Sequence, residues 1–329
     1  MPGAKELNMS FEVFQSKIKT WRNCRKAYDY KYIHKLTKKY KPMPFLRGDI
    51  VHQMLEAHYL NKNPWKPFKQ VIAENEKILR THAEEYGDLE NHLKVLMTGY
   101  FDYYDEEDLK PIEVEKDFRI ELTKGIYITG KRDLIAKSQK MKWMVEHKCH
   151  NIIPNASVVP YNNIQSAIYV WSYNKENKKP LDGIMWNYLL GKPLSTPQLL
   201  KDGSMSKRKI NTTWTVYRKA LKEAGLNPKD YYDMKEQLKG NEDQVYQRTF
   251  VPTNKNIMDT VVEDAITTSK EMQKLGGKDT TRNLGRHCDY CEFKTLCLAQ
   301  LKGLDDNFIL KSDFKKREKD GHEKHSEKD

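Results

Sequence analysis

The 329-residue chain has no long hydrophobic run, few cysteines and no nucleotide-binding glycine loop. No stretch of about 18 apolar residues occurs, which excludes a membrane-spanning helix of ordinary length. The first residues, MPGAKELNMSFEVF, contain no apolar segment of the secretion-signal type. We therefore expect an intracellular, cytoplasmic protein without a membrane partner. Because no G-x-x-x-x-G-K-[S/T] loop is present, any ATPase would come from a partner chain.

Acidic residues are outnumbered: 58 lysines and arginines against 46 aspartates and glutamates give a formal net charge of +12. A basic surface gains most from a polyanion, because each neutralised phosphate releases counterions. The charge therefore predicts nucleic acid as a partner ahead of an anionic membrane. Residues 310–329, LKSDFKKREKDGHEKHSEKD, mix lysines with acids and predict a disordered, solvated tail.

Hydrophobic spacing divides the chain into helical and extended parts. Helices are predicted over 10–36, 48–60, 68–86, 89–107, 160–174 and 254–275. Alternating β-branched and aromatic residues predict strands over 112–122, 126–136, 142–149, 183–191 and 244–252. The order indicates an α/β core of helix, three-strand meander, helix and strand, with added N-terminal helices and a C-terminal helical segment that carries cysteines.

The same pattern indicates one domain over residues 1–309. A helical insertion is expected at about 61–110. A second insertion is expected at about 192–243, where prolines and glycines interrupt the pattern.

Three charged residues of the predicted meander carry the strongest chemical signal. Glu146 and Lys148 are two apart on one strand and share a face, and the hairpin brings Asp133 beside them. Two carboxylates and a lysine suit phosphodiester hydrolysis with a divalent cation. Lysine is protonated at its ordinary pKa of about 10.4, so it orients water or stabilises charge rather than acting as the base. The alternative is a cross-strand ion pair on a solvated sheet; Glu113 and Glu115 are interpreted as solvated or as supporting the ligands.

Five cysteines lie at positions 24, 149, 288, 291 and 297. In an intracellular chain they fit ligands or buried thiols rather than disulfides, because the cytosol keeps thiols reduced. Three of them lie in CDYCEFKTLC, residues 288–297, and a cysteine metal site usually needs a fourth. Four thiolates bind zinc as readily as an iron–sulfur cluster, so spacing leaves both open.

Several motifs together resemble the PD-(D/E)XK nuclease superfamily: GKRD at 130–133 and EHK at 146–148. GDIVH, with Gly48 and His52, and QSAIY, with Gln165 and Tyr169, resemble its RecB-type branch, as in the AddB nuclease and the CRISPR-adaptation exonucleases. The resemblance runs from about residue 10 to 300, with 192–243 unmatched.

The resemblance implies a restriction-endonuclease-like core with Asp133, Glu146 and Lys148 as catalytic residues. It implies Mg²⁺ or Mn²⁺ held by His52, Asp133, Glu146 and the backbone carbonyl of His147, although an apolar or small residue is common at 147. It also implies a [4Fe–4S] cluster, with zinc as the alternative, that clasps the two chain ends. Its ligands would be Cys24, Cys288, Cys291 and Cys297.

The function implied is a DNA exonuclease that leaves 5′-phosphates, in recombination, repair, or phage or CRISPR-related DNA processing. Its partners would be DNA, single-stranded or with free ends, and a helicase or recombination chain. Gln165 and Tyr169 are candidate substrate contacts. So are Lys207, Arg208 and Lys209, in a basic, aromatic segment of the type that holds single strands, or else a solvated amphipathic one. The alternative function is a non-catalytic DNA-binding module with a structural zinc or iron–sulfur site.

Overall fold

The computed structural model describes residues 10–106, 109–154 and 164–317. Its N-terminal elements are β1 (Phe11–Val13), α1 (Gln15–Asn23), α2 (Arg25–Tyr28), a π-helix (Asp29–Ile33) and β2 (Leu36–Lys38). The helix predicted from residue 10 therefore starts later. Its first residues pair in parallel with Ile126–Ile128, because Val13 is buried against the sheet.

Four helices form the next segment: α3 (Met43–Tyr59), α4 (Trp65–Thr81), α5 (Ala83–Tyr86) and α6 (Leu89–Tyr103). α3 starts five residues before the predicted position 48, with a proline in its first turn, where the missing N–H has no helical partner to lose. Gly87 has φ +56° after α5. The Asp88 carboxylate then accepts a hydrogen bond from the Asn91 N–H at 3.0 Å and caps α6.

The central sheet is built from β3 (Lys110–Thr123), β4 (Ile126–Ser138), β5 (Met141–His150), β6 (Gly183–Leu190) and β7 (Tyr246–Pro252). β3, β4 and β5 form the predicted antiparallel meander. β5 and β6 are parallel, because α7 (Ile164–Glu176) crosses between them, and β7 pairs antiparallel with β6. The start predicted for α7, 160–163, lies outside the described residues. The α/β, restriction-endonuclease-like architecture is confirmed.

Helices cover both faces of this sheet. Val145 faces a core formed with α3 and α6, whereas Met144, its neighbour on β5, faces a core formed with α1, α7 and α11 (Lys255–Leu275). The alternation of side chains along β5 thus supplies both cores. In the described residues, no helix is at once long enough and apolar enough to cross a membrane.

The segment 192–243 forms a small cluster of its own. Its helices are α8 (Trp214–Glu223), a 3₁₀-helix (Pro228–Tyr231), α9 (Tyr232–Gln237) and α10 (Glu242–Val245). Tyr217, Leu221 and Met234 are buried in this cluster. Its packing against the rest of the protein includes an ion pair between Arg218 and Asp102 of α6.

The C-terminal segment continues with 3₁₀-helices Gly276–Lys278 and Arg286–Tyr290, then α12 (Lys294–Leu301), α13 (Asn307–Asp313) and β8 (Phe314–Lys316). β8 pairs antiparallel with β2. The disordered tail was predicted from Leu310, but residues 310–316 lie in α13 and β8, because Phe314 is buried and stacks on Phe293 at 5.6 Å. The remainder of that tail, 318–329, lies outside the described residues.

Candidate active site

The candidate site lies where β4 and β5 separate. These strands pair from Ser138 opposite Met141 to Leu134 opposite Val145. Asp133 and Glu146 are the next residues on each strand. There the Asp133 carboxylate takes the place of a backbone acceptor, and the His147 N–H donates to its Oδ2 at 3.1 Å. The fork in the sheet thus holds one carboxylate against the backbone of the other strand.

Glu146 and Lys148 form an ion pair beside Asp133. The Lys148 Nζ donates to the Glu146 Oε1 at 2.5 Å, as their shared strand face predicts. Glu146 is only 1% exposed. Its second oxygen, Oε2, is buried and has no hydrogen-bond partner. A carboxylate oxygen in this position is costly unless a donor or cation reaches it.

His52 and Glu115 complete a donor cluster around Asp133. The His52 Nδ1, on α3, lies 3.5 Å from the Asp133 Oδ2. One ligand atom from each of these three residues lies within 4.8 Å of the others. Carboxylate oxygens and an imidazole form a set that Mg²⁺, and still more Mn²⁺, accepts.

Glu115 lies at the candidate site, closer to Asp133 than a solvated residue would be, so the supporting role is the one of its two expected roles that the geometry favours. Its neighbours Val114 and Lys116 pair with Leu134 and Arg132, the residues on either side of Asp133, so Glu115 is level with Asp133. Its φ of +48° is uncommon for a residue with a side chain. The register shift between Glu121 and Thr123 brings Glu115 level with Asp133, so the turn between β3 and β4 does not by itself indicate the pairing.

Burial shifts the protonation of the cluster. It raises the pKa of Asp133 to about 7, and the charge of Glu115 adds to this effect. Burial and the charge of Asp133 raise the pKa of Glu146 to about 7. Burial alone would lower the pKa of Lys148, but the pairing with Glu146 raises it overall, so this lysine is protonated at neutral pH. Burial lowers the pKa of His52 and favours the neutral, metal-binding imidazole.

The His147 side chain points away from Glu146 and Lys148, as strand alternation requires. Its Nδ1 lies 2.8 Å from the Asn187 Nδ2, and its ring stacks on Tyr59 at 5.7 Å. Burial lowers its pKa well below the usual range.

One known protein family has a model that matches most of this chain. The model of the PD-(D/E)XK nuclease superfamily matches residues 13–298. The chain belongs to the PD-(D/E)XK nuclease superfamily. It is therefore a nuclease, of a family that uses divalent metal ions, and the cluster of His52, Glu115 and Asp133 offers such an ion its donors.

More distant likenesses exist among solved structures, whereas no curated protein matches the chain. The crystal structure of SSO0001 is 13% identical in sequence. The match covers 90% of this nuclease and 89% of SSO0001, with a TM-score of 0.34. The crystal structure of a candidate exonuclease from Eubacterium rectale is 14% identical in sequence, and that match covers 72% of this nuclease and 88% of the exonuclease, with a TM-score of 0.38.

Gln165 and Tyr169 lie one turn apart on α7, on the side of the nuclease sheet that carries Glu146. Tyr169 is 5% exposed, packs edge-on against Phe118 at 5.5 Å, and is hydrogen-bonded to Gln165. Gly130, which begins the GKRD motif, allows this packing, since a Cβ there would stand 2.7 Å from the Phe118 ring. Tyr169 is thus part of the packing under the site.

The basic segment of the second insertion is exposed. Lys207 pairs with Asp233 at 2.7 Å, and Arg208 and Lys209 are also exposed. Trp214 stacks on Tyr217 at 6.0 Å, but Tyr217 is fully buried. Tyr217 therefore belongs to the core of the insertion and is no platform for bases.

The four cysteines assigned to a cluster come from both ends of the described chain. Each is a free, partly buried thiol. Burial and the neighbouring Cys24 and Cys288 raise the pKa of Cys291, so these thiols lie near one another. Cys297 accepts a hydrogen bond from the Arg282 Nε at 3.3 Å. Cys149 is separate: burial raises its pKa to about 11.

Proposed function

We propose that the chain is a metal-dependent DNA exonuclease that hydrolyses phosphodiester bonds and leaves 5′-phosphates. The observation that carries this proposal is the convergence of Asp133, Glu146, Lys148 and His52 at the fork of the sheet, with a buried, unpartnered oxygen on Glu146. In a purely structural ion pair, a buried carboxylate oxygen would have a hydrogen-bond partner. In a metal ligand, such an oxygen is the atom that coordinates the cation.

His52, Asp133 and Glu146 would hold Mg²⁺ or Mn²⁺, together with the backbone carbonyl of His147. Glu115, which lies within reach of Asp133 and His52, adds a further carboxylate that the motifs did not include. When bound, the cation neutralises charge on the phosphate and lowers the pKa of a water molecule.

The remaining chemistry belongs to the residues of the chain. Asp133 and Glu146, with pKa values of about 7, give up their protons when they serve as ligands. Lys148 is protonated, so it donates to a phosphate oxygen or orients the attacking water, and it does not act as the base. In-line attack by water forms a new P–O bond and breaks the bond to the 3′ oxygen. The water gives a proton to solvent and the 3′ oxygen takes one up to leave as a hydroxyl, so the phosphate stays on the 5′ side.

DNA is the substrate that the charge and the family favour. The net charge of +12 suits a polyanion. The proposed substrate contacts are Gln165, at the floor of the site, and Lys207, Arg208 and Lys209, on the insertion. Tyr169 packs beneath Gln165 and holds it in place. We place the enzyme in recombination, repair, or phage or CRISPR-related processing, with a helicase or recombination chain as its partner.

We also propose that the four cysteines bind a [4Fe–4S] cluster, as in the RecB-type branch, and that this cluster joins the two ends of the chain. Burial raises the pKa of the Cys291 thiol, and Cys24 and Cys288 lie near enough to raise it further, which supports the proposal. Four thiolates would also bind one zinc ion, so zinc is the alternative ligand. The role of the cluster would be structural, since hydrolysis transfers no electrons.

The test is digestion of end-labelled linear DNA, single- and double-stranded, beside a closed circle, with anaerobically purified protein and Mn²⁺ or Mg²⁺. We expect loss of the linear substrates, 5′-phosphate products and an intact circle. Asp133→Ala should abolish cleavage and leave DNA binding largely intact, because it removes a ligand and no surface charge contact.

Asp259→Ala is the matched control, since Asp259 pairs with an exposed lysine on α11. It should cleave like the wild type. Cleavage by Asp133→Ala would overturn the active-site assignment. No cleavage by a folded, metal-loaded wild type would favour the non-catalytic DNA-binding module, and cleavage of the circle would exclude a strict exonuclease.

A further inference from the structure

A cleft of about 260 Å³ opens at the ends of β5 and β6. Asn151 and Gly191, which directly follow these two parallel strands, line it with Asn91 and His92 of α6 and Arg47 of α3. Arg47 precedes the candidate ligand His52 by five residues on α3, which is about 7.5 Å along the helix axis. The cleft therefore adjoins the candidate metal centre but shares none of its ligands.

Arg47 is a buried cation, and no carboxylate of residues 10–106, 109–154 or 164–317 forms a salt bridge with it. It is 1% exposed. Its Nη1 donates to the Gly191 carbonyl at 2.6 Å and to the Met43 sulphur at 3.7 Å, and it is hydrogen-bonded to the neutral Cys149 thiol. Its Nε has no partner. A buried guanidinium with neutral partners alone is costly, which favours an anion as the missing partner.

Gly191 has a packing role at this position. A Cβ there would lie 2.4 Å from the guanidinium carbon of Arg47. Any side chain at 191 would therefore displace the guanidinium, so glycine keeps Arg47 under the cleft.

The N-terminus of α6 adds a second source of positive potential at the cleft. α6 has 15 residues, and Asp88, Asn91 and His92 at its start line the cleft, so the partial positive charge of the helix N-terminus lies there. His92 is 8% exposed, and its Nε2 has no partner. The exposed Lys192 also lines the cleft. Asp88, which lines it too, carries an opposing charge but is engaged in capping α6.

We propose that this cleft binds a phosphate group of the nucleic-acid strand, with Arg47 as the central donor and the start of α6 and Lys192 around it. This inference rests on the proposed function, because it assigns the phosphate to the strand held at the metal centre. The bound group is then a backbone or terminal phosphate of the strand held at the metal centre.

The test measures thermal unfolding in EDTA, so that no cleavage occurs, with inorganic phosphate against chloride of equal ionic strength. A tenfold excess over Kd should raise the wild-type midpoint by about 2 °C. Arg47→Met keeps the volume and removes the charge. In chloride its midpoint should be unchanged or higher, whereas its affinity for phosphate should fall by about tenfold or more.

Arg132→Met is the matched control. Arg132 is equally buried, but it pairs with Glu176 at 2.6 Å. Its replacement should lower the midpoint and leave the response to phosphate unchanged. Asp88→Asn keeps an N-cap and removes the opposing charge, so it should strengthen phosphate binding.

Lys192→Ala changes an exposed residue and covers the case in which Arg47→Met fails to fold. It should weaken phosphate binding without moving the midpoint in chloride. Oligonucleotides with a 5′-phosphate or a 5′-hydroxyl then separate the two sources: preference for the former assigns a terminal phosphate, and equal binding assigns a backbone phosphate.

The inference is overturned if the wild type shows no shift with phosphate, or if Arg47→Met and Lys192→Ala both retain it. None of these measurements uses cleavage. If Asp133→Ala still cleaves DNA, the proposed function fails while the phosphate shift stands. If a cleaving wild type shows no shift, this inference fails alone.

Discussion

The candidate metal centre and the four-cysteine region both assemble donor atoms from distant parts of the chain, but the fold holds them differently. At the centre the donors project from α3, β3, β4 and β5, and Glu146 is almost fully buried. The cysteines are partly exposed, and no three of their sulphurs, all of them in the described residues, lie within 4.8 Å of one another.

The two sites therefore depend on their ligands in different ways. At the candidate metal centre, strand pairing and the hydrogen bond from the His147 N–H hold Asp133 in place, so this carboxylate is preorganised. The cysteine region joins the N-terminal helices to the C-terminal segment, and its ligand would complete that junction. Loss of the ligand should therefore change chemistry at the first site and stability at the second.

The largest effect that separates the two sites is expected from Cys24→Ala. It should lower the thermal midpoint by on the order of 5 °C and remove iron together with it, because the cluster would join the two ends of the chain. Metal analysis and unfolding of anaerobic samples measure both. Asp133→Ala should leave iron content and midpoint near those of the wild type.

Cys149→Ala is the control for Cys24→Ala, because its buried thiol lies outside the proposed cluster. It should keep its iron. Loss of cleavage in a Cys24→Ala protein that remains equally stable and loaded with iron would contradict a structural role for the cluster.

Glu115→Gln tests how far the metal centre extends beyond the motif residues. Mn²⁺ affinity, measured by calorimetry, should fall by about 10- to 100-fold, since a carboxylate near the ligands is lost while the volume is kept. Glu121→Gln, on the same strand, retains the oxygen that accepts the Gly125 N–H and should bind Mn²⁺ normally. Unchanged affinity in Glu115→Gln would restrict the centre to the motif residues.

The pH dependence of stability should also distinguish the centre. Asp133 and Glu146 have pKa values of about 7 in the folded protein, against about 4 when unfolded. The folded state therefore binds more protons between these values, so in EDTA the free energy of unfolding should fall as pH rises from about 4 to about 7. Asp133→Asn should flatten this fall, and a wild type that becomes more stable over this range would contradict it.

Excess Mn²⁺ should reverse that trend, because ligands must lose their protons to bind it. Mn²⁺ affinity should rise with pH through about 7. Cysteine thiols have an ordinary pKa of about 8.5, and burial raises that of Cys291, so their metal affinity would rise at higher pH. A rise centred near pH 7 therefore assigns the effect to the carboxylates.

The smallest effect is expected on the insertion. Alanine at Lys207, Arg208 and Lys209 should reduce the slope of DNA affinity against salt, on logarithmic axes, by about 1 to 2. Lys207 already pairs with Asp233, so its share is partly offset. Anisotropy with Asp133→Ala protein measures the slope, and alanine at Lys178 and Lys179 is the control; an unchanged slope would remove the segment from the DNA interface.

Sequence patterns predicted most of the central sheet but missed short strands, among them β1, which pairs with β4, and β8, which pairs with β2 outside this sheet. The five strands of the core were predicted within a few residues, because alternation repeats over many positions in each. β1 was taken for the start of a helix, since three residues carry too little pattern and β4 supplies the pairing. β8 was assigned to a disordered tail, because many charges surround Phe314, the one buried aromatic.

The residue types of the candidate site, and which of them share a strand face, could be predicted from the sequence. Alternation along a strand is local, so the shared face of Glu146 and Lys148 and the opposite direction of His147 follow from position alone. The helical spacing of Gln165 and Tyr169 is local in the same way. Their functional roles stay predictions until the variants are measured.

Tertiary structure decided the features that depend on how elements meet. The separation of β4 from β5, the approach of Glu115 to Asp133 and the burial of Arg47 beneath Gly191 all arise from register and packing between distant segments. No local period encodes such contacts, because each depends on the position of a partner far along the chain. Charge type and strand face are therefore properties of the sequence, whereas raised pKa values and an unpaired buried guanidinium exist only once the elements pack and exclude water.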